Sequence, residues 1–160
     1  MTTAEQNLAQ LADQLDRLLI RTPGARHALV LSRDGLKLCH SSGLSADQGD
    51  QLAAIACGIQ SLAHGASVEF GDGSGGVRQS MTEFHGGILF IVAAGEGAHL
   101  AVIGEEFADA GEIGHAMSEL VPLIGRQLRI VPRQYTGARE PAERELSVPG
   151  GPGARGGSTA

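Results

Sequence analysis

The chain lacks tryptophan and has a single tyrosine, Tyr135, and four phenylalanines among 160 residues. So few flat rings leave little with which to stack bases, and single-stranded nucleic acid is not an expected ligand. Cysteine is almost as scarce. Cys39 falls on a predicted strand and Cys57 on a predicted helix. Two thiols draw no disulfide framework, so a reducing cytoplasm is the expected setting. None of the six histidines has a partner four residues on, and no His-x-His or Cys-x-x-Cys pair occurs, so no metal site is expected. No run approaches the ~18 apolar residues of a membrane span. The first residues, Met-Thr-Thr-Ala-Glu-Gln-Asn, do not follow the basic-then-apolar pattern of an export signal. Positive charge is also short: the formal net charge is -6. Residues 1–132 hold 8 Lys+Arg against 15 Asp+Glu. An acidic body repels phosphate backbones and anionic lipid, which argues against nucleic acid and against direct membrane insertion.

What the chain has is aliphatic side chains, with 42% of residues hydrophobic. Leu8, Leu11, Leu15, Leu18 and Leu19 recur at helical spacing and predict an amphipathic helix over 4–21, stopped by Pro23-Gly24. Strands are predicted over 26–33, where Ala28-Leu-Val-Leu31 is apolar on both parities, and over 36–40, which alternates; Asp34-Gly35 turns between them. Ser45 is a candidate N-cap for a helix to about Ala66, with Leu52, Ile55, Ile59 and Leu62 as its expected buried stripe. Beside that stripe runs a row of small residues, Ala54, Gly58, Ser61 and Gly65. Close approach of another helix would explain the row; a solvated face of small residues would too. A mixed strand over 77–84 and two fully apolar strands, 88–94 and 100–103, precede a last helix from about 108, which Pro122 is expected to bend. From Arg133 the composition is Gly, Pro, Arg and Glu, which predicts a disordered tail over 133–160 following one domain over 1–132.

The predicted order is α-β-β-α-β-β-β-α, an α+β domain with a five-stranded, mostly antiparallel sheet and helices on both faces. The three fully apolar strands belong at its centre and the two mixed strands at its edges. One middle helix covers a five-stranded face poorly, so apolar sheet area would stay wet unless a second copy covered it. The edge strand 77–84 offers that copy unpaired backbone groups.

No chemical constellation stands out. Gly71, Gly73 and Gly76 match G-x-G-x-x-G, but a helix precedes and a strand follows, the reverse of what phosphate binding at a helix N-terminus requires. There is no P-loop, and Gly73-Ser74-Gly75 lacks the strand-elbow-helix setting of a hydrolase nucleophile. No catalytic residue and no cofactor is expected.

The element order, the hairpin Ala28-Leu-Val-Leu-Ser-Arg-Asp-Gly-Leu-Lys-Leu38 and the Ser45-led helix after it resemble the roadblock/dynein light-chain family over about residues 5–132. Leu-Ser-Arg-Asp-Gly-Leu (31–36) and Leu-Ile-Gly-Arg-Gln-Leu (123–128) are similar to the B component of actinobacterial conservon operons. The resemblance implies a non-catalytic homodimer whose sheets join through the third strand, at Val77, Gln79, Met81 and Glu83. It also implies middle helices that meet near the dyad, which would suit the row Ala54, Gly58, Ser61 and Gly65. It implies a small Ras-like GTPase as partner, with a sensor-kinase-like protein beside it. Arg33 and Arg78 are candidate partner contacts; the same charges would equally protect a sheet edge. The competing reading is a small-molecule sensor of profilin, PAS or GAF type, which needs a polar or aromatic cavity beside the sheet.

Overall fold

In the computed structural model, which describes residues 2–129, Thr2 caps helix α1 (Thr3–Arg21) through a reciprocal pair of bonds with Glu5. Leu11, Leu15 and Leu18 are buried, while Leu8 and Leu19 pack at the margin. Strands β1 (Ala25–Ser32) and β2 (Lys37–His40) follow, joined at Asp34-Gly35, where Gly35 takes the positive φ that the turn demands. Helix α2 (Ala46–Phe70) starts on a second reciprocal cap, Ser45 with Gln48. Then come β3 (Gln79–Phe84), β4 (Gly87–Ala93), β5 (Ala98–Gly104) and α3 (Ala110–Arg129). Asp109 accepts from the Glu112 amide and caps α3. Helix α3 runs unbroken through Pro122. The tail expected over 133–160 lies outside the described residues.

Every strand pair is antiparallel, and the order across the sheet is β2-β1-β5-β4-β3. The apolar strands β1, β5 and β4 are central and the mixed strands are edges, as their patterning requires. Alternate residues of the central strands face opposite layers. Ala28, Val30, Phe90, Leu100 and Val102 pack against α1 and α3. Leu29, Leu31, Leu89, Ile91 and Ala101 pack against α2.

The middle layer departs from expectation in two ways. Helix α2 reaches Phe70 rather than Ala66. It is also turned about its axis relative to the expected stripe. Gly49, Leu52, Ala53, Ala56 and Gln60 face the sheet, whereas Ile55 is 53% and Leu62 78% exposed. Small side chains let the helix settle close to the sheet, so it seals Leu29, Leu31, Leu89 and Ile91 by itself. The expectation of wet apolar sheet area under α2 is therefore wrong. The exposed apolar surface lies on the back of α2 and along β3.

Candidate protein-binding surface

Strand β3 is an edge, hydrogen-bonded to β4 alone. It begins at Gln79, two residues later than expected, so Val77 and Arg78 precede it. Ser80 is half-buried and donates to Gln60 Oε1 at 2.8 Å, which ties the edge to α2. Every other residue of β3 is exposed, including Met81 and Phe84. Gln79, Met81 and Glu83 stand opposite Val92, Phe90 and Ile88 and so share the α3 side of the sheet. Helix α3 packs chiefly over β5 and β4 and leaves the three in solvent.

The row Ala54, Gly58, Ser61 and Gly65 is wholly exposed on the back of α2. A methyl group built at Gly58 or Gly65 would meet no atom within 4 Å. The structure ties α2 to β3 at Gln60 and Ser80, while Ala54 lies on the stretch that meets the β1–β2 hairpin through Ala53 and Cys57; the α2 row is on one side of the sheet and Gln79, Met81 and Glu83 are on the other. Sequence reading missed Ile55 and Leu62, which flank the small row, because apolar residues at helical spacing were assigned to the core. The signal that could have found them is the competing row Gly49, Ala53 and Ala56, which is small rather than greasy.

Arg33 and Arg78 lie beyond the same end of the sheet, after β1 and before β3. Two strands separate theirs, so they stand about 14 Å apart. Arg126 and Arg129, in the last turn of α3, close on that end too, where Gly125 approaches Gly95. The opposite end carries Glu105, Glu106, Asp109 and Glu112. The arginine-bearing end also carries exposed carboxylates, Asp34 beside Arg33, Glu96 beside Gly95, and Glu69 and Asp72 before Arg78, so its charge is mixed. The Arg33 amide donates to Gly97 and its carbonyl accepts from Cys57 Sγ, so its backbone is pinned while its side chain is exposed.

The groups able to do chemistry are held in ordinary structural roles. Burial pushes the Cys39 thiol up to about 12, well clear of a reactive thiolate. His99 is held below its usual pKa by burial and then by Arg33, and His27 by burial and then by Arg26. In the glycine-rich loop, Ser74 donates its amide to Asp72, Gly76 donates to Ser74 Oγ, and Gly75 O contacts His64 Nδ1. The donors Ser74 and Gly76 could give a phosphate are thus already engaged within the loop. Among the described residues no cluster of His, Cys, Asp or Glu could hold a metal, and no helix is long and apolar enough to cross a membrane. Two shallow surface grooves lie against α1, one of ≈ 240 Å³ between Arg21, Pro23, Glu112, His115 and Glu119, the other of ≈ 260 Å³ at Gln14, Arg17 and Ile20. Neither lies between the sheet and α2.

Comparison with curated proteins finds no match. Among solved structures, the chain is 37% identical to a roadblock/LC7 domain from Streptomyces avermitilis, covering 74% of this chain and 97% of that one with a TM-score of 0.70. Its fold is also that of the gliding protein MglB from Thermus thermophilus, at 21% identity, 77% and 91% coverage and a TM-score of 0.67. An MglB with a tetrameric arrangement matches at 20% identity, 79% and 93% coverage and a TM-score of 0.71. The roadblock/LC7 domain profile matches residues 11–104. With more than half its length matched and its central sheet, capped α2 and open β3 edge in place, the chain belongs to the roadblock/LC7 family, whose members are non-catalytic adaptors and regulators.

Proposed function

We propose that the protein is a homodimeric adaptor that docks a small Ras-like GTPase in a bacterial signalling complex, with a sensor-kinase-like protein as a further partner. The observation that carries this reading is the open β3 edge lying beside an apolar α2 back, with Met81, Phe84, Ile55 and Leu62 all exposed. A monomer that keeps an unblocked edge strand and a greasy helix face in water is a template for association. Pairing of two copies through β3 would remove the edge and bring both α2 backs toward one axis. Support for the GTPase comes from family membership and from the fold shared with MglB, named as a gliding protein. Arg33, Arg126 and Arg129, exposed at one end of the sheet, offer such a partner charged contacts. The setting proposed is cytoplasmic, with any membrane association made through partners.

Two measurements test the proposal. Light scattering at micromolar concentration should report twice the chain mass. Small GTPases loaded with GDP or a non-hydrolysable GTP analogue should co-elute with the protein in one nucleotide state. A single-chain mass defeats the dimer, and the absence of any complex in either state defeats the GTPase reading.

A further inference from the structure

We propose that, in the homodimer, Met81 lies on the two-fold axis, opposite Met81 of the second copy, with Gln79 of each chain opposite Glu83 of the other. The inference rests on the dimer reading above and fixes the register of its central strand pair.

Three constraints select that register. The first is symmetry. Two antiparallel copies of β3 form one continuous sheet only about an axis perpendicular to it, and such an axis keeps each side chain on its own side of the sheet. Opposed residues share a side, so they must have the same parity, and the axis must pass through a residue rather than between two. The second is backbone bonding. The two-residue turn His85-Gly86 closes on the pair Phe84–Gly87. Phe84, Thr82 and Ser80 then exchange their bonds with β4, while Gln79, Met81 and Glu83 turn theirs to the open edge. With Met81 on the axis, all three find partners across it.

The third constraint is side-chain chemistry. An axis through Glu83 would oppose two carboxylates, and one through Arg78 two guanidiniums. An axis through Ser80 would leave much of the six-residue strand paired with residues outside it. An axis through Thr82 would set Met81 against the carboxylate of Glu83 on both sides of the dyad. An axis through Met81 instead joins two half-exposed thioether side chains and lets each Gln79 amide donate to a Glu83 carboxylate. It also sets Arg78 against the half-exposed ring of Phe84, a cation–π arrangement. Gln60 reaches Ser80, one residue from the axis, so Gly58, Ser61 and Leu62 are the part of the α2 back level with it.

Cysteine scanning reads the register directly. In a Cys57→Ala chain, cysteine is introduced singly at positions 79 to 83 and oxidised with copper–phenanthroline. A disulfide needs Cα atoms within about 7 Å. Only the on-axis position meets its own copy at that distance, so Met81→Cys should form covalent dimer at least about ten-fold faster than its neighbours. A second series changes charge. Gln79→Lys should tighten the dimer about 2- to 30-fold in a salt-sensitive way, through two new cross-strand pairs. Gln79→Glu should loosen it, and Gln79→Glu with Glu83→Lys should restore it. A dimer whose cross-linking peaks at another position, or that ignores Gln79→Lys, overturns the register and leaves the dimer standing. A single-chain mass for the Cys57→Ala parent and the native chain alike overturns both.

Discussion

One hydroxyl closes the far end of the β1–β2 hairpin. Ser41 is fully buried; its Oγ accepts from the Ala28 amide at 3.0 Å, and its own amide donates to the Ala28 carbonyl at 2.8 Å. Ser41→Ala keeps the second bond and strands the Ala28 N–H in the core, so it should cost about 1–3 kcal/mol in a urea melt. Gly24 sits at φ 86 with Ala108 Cβ only 2.6 Å from where a methyl would stand. Gly24→Ala combines a disfavoured backbone with a clash and should lose at least about 1–3 kcal/mol. The histidines give the fold a pH dependence. His27 and His99 are held below the ordinary value of 6.5 in the folded chain. The unfolded chain therefore binds protons that the folded chain resists. Their neutral forms carry full stability above about pH 6.5, and it is lost as the pH falls through the depressed folded values. Thermal melts should show Tm dropping on acidification below pH 6.5, and His27→Gln with His99→Gln should flatten that slope.

At the scale of elements, α2 decides more than its sequence pattern declares. A reading in which apolar means buried places Ile55 and Leu62 inward. The helix instead turns Gly49, Ala53 and Ala56 to the sheet, because small residues allow close approach over Leu29, Leu31 and Ile91. Gly58 is left in open space on the back. Glycine inside a helix costs about 1 kcal/mol relative to alanine. In the single chain, Gly58→Ala should therefore stabilise by about that amount in denaturant melts at high dilution. If the α2 backs meet in the dimer, the same methyl falls between two helices, and the dissociation constant from sedimentation should rise. Opposite signs in the two measurements identify this face as a contact; equal gains in both identify it as solvent-facing. The Ser45 cap, by contrast, was legible, because a polar acceptor placed ahead of free helical amides needs no tertiary partner.

For the whole molecule, association and stability are linked. If folding and pairing are coupled, Tm should fall by several degrees over a roughly hundred-fold dilution, as mass action requires. A Tm indifferent to concentration would mean that each copy is stable alone. Exposed charge bears on partner capture: Arg33, Arg78, Arg126 and Arg129, which lie on three separate parts of the chain, share one end of the sheet with Asp34 and Glu96. Arg33→Glu with Arg126→Glu, both outside the β3 pairing, should slow association with an acidic partner and weaken its salt dependence, read in stopped-flow at two ionic strengths.

The sequence alone determined the elements, their order and which strands are central, because period-two and period-3.6 patterning, turn glycines and caps act over a few residues. It also settled which strands are edges, since mixed polarity fits only a strand with a wet side. The rotation of α2, the burial of Gln60 against Ser80 and the gathering of distant arginines at one end were decided only in three dimensions. Each depends on how closely a helix can approach a particular sheet, a quantity set by side-chain volumes on both surfaces at once and by neither alone.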